Sequence, residues 1–131
     1  MATKTFVNLP VRDLDRATAF FRALGFTFDP DYTDAKAACM VIGAHSYAML
    51  LTEPFFATFT DKPTADASES TEVIVAVLQD TREDVDRIGD AALAAGAAPA
   101  RRTAEESPMY TRSFYDLDGH HWEFFAAGPA S

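Results

Sequence analysis

The strongest constraint on this chain is that one order of predicted elements runs through it twice. Lys4-Thr-Phe-Val-Asn-Leu-Pro-Val11 is β-branched and apolar, which predicts a strand. Asp13 follows at a helix N-cap position, and Leu14, Ala17, Phe21 and Leu24 recur at helical spacing as one apolar stripe. Gly25 closes that helix, because glycine takes the left-handed conformation of a C-terminal cap. Phe26-Thr-Phe28 opens the next strand, and Asp29-Pro30-Asp31 interrupts it with turn chemistry. Lys36 to Ile42 and Ser46 to Thr52 read as two more strands, joined by a turn at Gly43-Ala44. A polar, Pro-containing stretch from Thr60 to Ser70 then lacks any periodicity.

Beyond it the order restarts. Glu72 to Val77 is a predicted strand, and Asp80-Thr81 precede a helix with Val85, Ile88, Ala92 and Ala95 on one face and Gly96 at its end. Asp13 and Asp80 are read as caps. Ala98 to Thr103, Met109 to Tyr115 and His121 to Ala126 complete three further strands. Asp13–Gly25 thus answers Asp80–Gly96, the second helix being one turn longer. Two copies of β-α-β-β-β predict an α+β fold of two modules, about residues 3–59 and 71–127, joined by a linker at 60–70. Each module is a mixed sheet with its helix outside, and the whole is a single domain able to bury a real core.

Composition narrows the partners. The formal net charge is −9 and only Arg101 and Arg102 stand together as cations, so a nucleic-acid or anionic-membrane surface is not expected. No apolar run reaches the roughly 18–20 residues that span a bilayer. The segment Met1-Ala-Thr-Lys-Thr5 enters strand-like sequence directly, and the lone Cys39 sits among apolar neighbours without an internal disulfide partner. A cytoplasmic location is the expectation. Eleven phenylalanines point to a heavy core or an apolar cavity, and an acidic balance suits either solubility or a cationic small molecule. Nucleophile elbows, phosphate-binding glycine loops and paired cysteines are absent from the sequence, and so is the glycine-rich turn of a dinucleotide fold.

Three features carry a resemblance to a known family: Leu9-Pro-Val-Arg-Asp-Leu-Asp-Arg-Ala-Thr-Ala-Phe-Phe-Arg-Ala-Leu-Gly-Phe26, the paired module, and Phe114-Tyr-Asp-Leu-Asp-Gly-His-His-Trp-Glu123. With Met49-Leu-Leu-Thr-Glu-Pro-Phe55 and Met109-Tyr110, the chain resembles the vicinal-oxygen-chelate superfamily of glyoxalases, bleomycin-resistance proteins and dioxygenases. Within it, the chain is most similar to the predicted lactoylglutathione lyase subgroup. The resemblance implies two modules whose sheets curl around a shared cavity. In metal-dependent members, side chains from the first and last strands of each module hold a divalent ion there. At the matching positions this chain has Phe6, Met49 or Leu50, Glu72 and Glu123. Two carboxylates and no imidazole remain, fewer donors than a hard cation takes, so no cofactor is expected. A divalent metal on Glu72 and Glu123 is the alternative.

The closing hairpin carries the acid–base chemistry. His120 and His121 are adjacent, so on a strand they point to opposite faces. His121 shares its face with Glu123 and Phe125, roughly 6–7 Å from Glu123 at Cα, as a pair able to share a ligand or handle a proton, or else as a solvated pair. His120 follows Asp118-Gly119 at a tight hairpin turn and is read as bonding local backbone or packing beside Trp122. His45 lies in an exposed turn. Asn8 shares the face of Phe6 and is a candidate ligand contact. Tyr110 and Arg112 share a strand face, either offering a phenol and a cation to an anion or lying on the outer side. Phe55, Phe56 and Phe59 form core, a subunit contact or a lid.

Three functions fit these residues. The first is a metal-free binder that holds a small cationic or aromatic molecule in an apolar cavity. The second is a metal-dependent glyoxalase-type lyase or isomerase using Glu72 and Glu123. The third is a metal-free enzyme with His121 and Glu123 as general acid and base. The resemblance also implies a homodimer.

Overall fold

Alternation sorts each strand's side chains into two faces, and in both halves of the chain one face is buried and the other more exposed. The computed structural model describes residues 3–100 and 109–127. It divides into two compact units, Met1–Asp66 and Ala67–Ser131, so the division falls inside the stretch read as a linker.

In the first unit, strand β1 (Thr5–Val11) buries Leu9 and Val11 on one side and leaves Phe6 and Asn8 exposed on the other. Helix α1 (Leu14–Ala23) starts at Asp13, whose carboxylate accepts the Arg16 N–H at 3.1 Å. That bond satisfies one of the backbone donors every helix start leaves free. Ala17, Phe20, Phe21 and Leu24 are buried, which adds Phe20 to the expected stripe. β2 (Thr27–Asp29) ends in a short 3-10 turn, Pro30–Tyr32, where Asp29 accepts the Asp31 N–H. β3 (Ala37–Gly43) and β4 (Ser46–Thr52) follow, then a short helix α2 (Glu53–Ala57) with proline in its first turn. The sheet order is β1-β4-β3-β2, with β1 parallel to β4 and the other pairs antiparallel. Cys39 is fully buried, as its neighbours imply.

The second unit repeats this order as β5 (Ile74–Leu78), α3 (Arg82–Ala94), β6 (Ala98–Pro99), β7 (Tyr110–Tyr115) and β8 (His121–Ala126). Its sheet runs β5-β8-β7-β6, again with the first strand parallel to the last. The α+β reading of two β-α-β-β-β modules therefore holds within each unit. Gly25 and Gly96 occupy equivalent helix ends with φ of 101° and 108°, a conformation that β-carbons oppose.

Two local readings are corrected. β5 begins at Ile74, so Glu72 lies ahead of the strand and is exposed. The cap of α3 is Thr81, whose hydroxyl accepts the Asp84 N–H at 3.0 Å, one residue after Asp80. The turn before His121 is tight, as read: the Gly119 N–H donates to the Asp116 carbonyl at 3.0 Å, and Gly119 has a φ of 93°. The predicted strand from Ala98 is present as Ala98–Pro99, and its continuation at 101–103 lies outside the described residues, as do Arg101 and Arg102.

The core of this unit is where α3 packs on β7 and β8. Val85, Ile88 and Ala92 are buried on the helix; Phe114, Trp122 and Phe124 are buried on the strands. Phe114 and Trp122 each stack on Phe124, with ring centres 5.8 and 6.2 Å away. Each such aromatic contributes about 2–3 kcal/mol by leaving water.

Candidate ligand site on the second sheet

β8 lies between β5 and β7, and that central place brings three strands' side chains together. Directly paired residues point to the same face. His121 is opposite Ile74 on one side and Tyr115 on the other, and Glu123 is opposite Ala76 and Ser113. The face away from α3 therefore carries His121, Glu123, Ser113 and Tyr115, bordered by exposed Ile74 and Leu78 of β5.

The turn that delivers this face is built on Asp116. Its carboxylate accepts the backbone N–H of Asp118 at 2.9 Å and of His120 at 3.0 Å, and the indole N–H of Trp122 at 2.9 Å. Its own N–H donates to the His120 carbonyl at 2.9 Å. One buried side chain thus pins both neighbours of His121. Burial pushes the Asp116 carboxyl above the usual carboxylate range, against the opposing pull of His120 and the three N–H donors. His120 is tied into the turn through its own backbone N–H and carbonyl, both bonded to Asp116. Asp116 was missed as an organiser because Asp-x-Asp-Gly reads as generic turn composition.

His121 is nine-tenths buried, and its Nε2 lies 4.0 Å from a Glu123 carboxylate oxygen. That gap is too long for a hydrogen bond. Among the described residues, Nε2 has no hydrogen-bond partner, and neither has the buried Ser113 hydroxyl on the same face. Buried polar atoms are nearly always paired, so two orphans flanking one carboxylate mark a place where a ligand or water belongs. Ser113 gives no sequence signal of its own; only strand register sets it beside Glu123.

Tyr110 and Arg112 do not join this face. They point to α3, where the Tyr110 hydroxyl donates to Asp86 and the Arg112 guanidinium pairs with Asp86 at 3.0 Å and Asp90 at 3.1 Å. Arg82 lies over the Tyr110 ring at 4.2 Å. The Tyr110 bond is the main reason the Asp86 carboxyl sits below its ordinary range, with Arg112 adding to it.

The other predicted residues lie in the first unit. Phe6 stacks on Tyr47 with ring centres 4.7 Å apart, and Asn8 pairs with Met49 on the same face. Phe55 and Phe59 meet edge to face at 5.0 Å on and just beyond α2, with Phe59 exposed and Phe56 half-buried. The structure brings Phe6, Asn8 and Met49 together within their own sheet, and His121 with Glu123 within theirs.

A divalent metal does not fit the residues at the positions where the resemblance implies ligands. Phe6 and Met49 offer no hard donor, Glu72 is off its strand, and Glu123 has one imidazole beside it. Among the described residues, no group of three or more His, Cys, Asp and Glu is placed to hold an ion. No described helix is long and apolar enough to cross a membrane.

Comparison with known proteins supports the fold. A structure of a hypothetical protein from S. aureus superposes with a TM-score of 0.81 at 28% identity, over 97% of this chain and 95% of that one. A glyoxalase/bleomycin resistance protein/dioxygenase family enzyme from Burkholderia phytofirmans gives 0.77 at 20% identity, over 96% and 99%. The fosfomycin resistance protein FosX from Listeria monocytogenes, complexed with Mn(II) and sulfate, gives 0.69 at 20% identity, over 99% and 93%. Among curated proteins, none matches the chain. Residues 3–43 match the model of the bleomycin resistance protein-like N-terminal family. Residues 3–43 are thus similar to the bleomycin resistance protein-like N-terminal family, and the whole chain has the fold of glyoxalase/bleomycin resistance/dioxygenase structures.

Proposed function

We propose that this protein binds a small, partly apolar, cationic or neutral molecule without a metal, with His121 and Glu123 as its polar contacts. One observation carries the reading: a nine-tenths-buried imidazole nitrogen without a hydrogen-bond partner among the described residues, 4.0 Å from a carboxylate that is one-third exposed. A ligand N–H or O–H entering there would satisfy the nitrogen and meet the carboxylate together. The bleomycin-resistance-like match over residues 3–43 supports a binding role, and the exposed Ile74 and Leu78 on the same face as the pair support a ligand with apolar surface.

The same pair supports a second reading, a metal-free acid–base enzyme. His121 would take a proton from a bound ligand and Glu123 would hold the resulting imidazolium. Glyoxalase-type metal chemistry is the reading that the donor set disfavours, although FosX of the same fold was crystallised with Mn(II). We further propose that the protein is a cytoplasmic homodimer, which sedimentation at several concentrations would test.

The deciding experiment is calorimetric titration of chelator-treated protein with Mn(II), Ni(II), Zn(II) and Mg(II), beside a screen of small amines and aromatics. We expect no metal uptake at micromolar concentration, and ligand binding that weakens at least tenfold in His121→Ala and Glu123→Gln. Stoichiometric metal binding lost in Glu123→Gln would overturn the metal-free reading. Turnover of a bound compound, abolished in His121→Ala, would favour the enzyme over the binder.

A further inference from the structure

Resting on that ligand site, we infer that Ser113 and His121 read a hydroxyl group beside a ligand ammonium, so that the ligand is an amino alcohol with an apolar flank. Ser113 stands directly across from Glu123 on β7, and His121 stands two residues along from Glu123 on β8. Such diagonal neighbours sit about 7–8 Å apart at Cα, close enough for one small group to touch both. The Ser113 hydroxyl and His121 Nε2 are both buried and both lack a partner among the described residues.

The chemistry of the three groups selects the ligand. A serine hydroxyl both donates and accepts, and an imidazole nitrogen does one or the other according to tautomer. A ligand hydroxyl matches this pair because it also donates and accepts, whereas a carbonyl can only accept. The Glu123 carboxylate only accepts, and it is the one charged group among the described residues of this face. An ammonium satisfies it. Arg112, the cation of β7, lies on the opposite face and is held by Asp86 and Asp90, so among the described residues an anionic ligand meets no counter-charge on this face. Ile74 and Leu78 are 49% and 62% exposed along the neighbouring strand, on the same face. They give a hydrocarbon chain somewhere to lie.

The test compares hexylamine with 1-amino-2-hexanol by calorimetry on the full chain, in wild type, Ser113→Ala and Glu123→Gln, with thermal melts confirming that each variant folds. Wild type should prefer the amino alcohol about tenfold, the effect of one well-made hydrogen bond in a site built for it. Ser113→Ala should close the gap between the two ligands, and Glu123→Gln should weaken both. Equal affinities in wild type, or a preference that survives Ser113→Ala, would overturn the inference while leaving the amine site standing; the two orphans would then hold resident water only. Failure of both compounds to bind would overturn the cationic-ligand reading and the inference with it.

Discussion

The two units share one topology and attach their helices by different physics. In the first, α1 is held by aromatic packing: Phe20 and Phe21 are buried and meet edge to face at 4.9 Å, and Phe21 meets Phe26 at 6.3 Å. In the second, α3 combines an apolar stripe with an ionic clamp, Arg112 reaching across to Asp86 and Asp90. The opposite faces diverge as well. The first sheet presents Phe6, Tyr47, Asn8 and Met49, and the second presents His121, Glu123 and Ser113. The β-α-β-β-β scaffold therefore fixes where side chains stand without fixing what they are, so one copy can keep polar chemistry while the other becomes an aromatic surface.

Substitution can break this contrast. The largest effect should come from Phe21→Ala, which empties a fully packed site and should cost about 4 kcal/mol in urea denaturation. That loss should be insensitive to salt. A loss under about 1 kcal/mol would show that aromatic packing is not what holds α1.

Asp116→Ala comes next. It strips the partners from two backbone N–H groups and the Trp122 indole, and should cost about 3 kcal/mol. It should also release His121 from its fixed position, seen as loss of a single sharp imidazole resonance.

Gly89→Ala sharpens the contrast at small cost. A β-carbon there would fall 2.7 Å from the Arg112 guanidinium carbon, so the arginine must leave the helix surface. Helix propensity gains about 1 kcal/mol, and the partly exposed ion pairs lose about as much. Net stability should change by less than about 0.5 kcal/mol, while the salt dependence contributed by the clamp disappears. Unchanged salt dependence would show that Arg112 does not clamp α3.

The smallest signal is in titration. Asp116 is pushed up by burial, so it holds its proton in the folded state longer than in the unfolded one. Its contribution to stability is therefore greatest below the ordinary carboxylate range and declines as pH rises through its folded value. Asp86 is held down, first by Tyr110, so its contribution is present above that range and is lost as pH falls through its folded value. Carboxyl carbon resonances should show the two midpoints on opposite sides of an exposed aspartate, and coincidence would sink both assignments.

Much of the fold was legible because its signals are local. The helix start at Asp13, the glycine ends at Gly25 and Gly96, and the strand from Ser46 to Thr52 each depend on a few neighbouring residues. The failures were local competitions too close to separate by composition: Asp80 or Thr81 as cap, and Glu72 or Ile74 as strand start. The face shared by His121 and Glu123 followed from alternation alone.

Alternation cannot say which of a strand's two faces meets a helix, nor which residue of a distant strand stands opposite. Tyr110 and Arg112 could be ligand groups or outer-face residues by sequence, and α3, which carries Asp86 and Asp90 beneath them, decides for the outer face. Ser113 became part of a site only through its pairing with Glu123, and Asp116 an organiser only when Trp122 turned its indole back toward it. The sequence by itself determined the elements and their order, because caps, turns and apolar period act over a few residues. Tertiary structure decided the register and the facing partners, because these depend on contacts between segments far apart in the chain, where burial and pairing energies outweigh local preference.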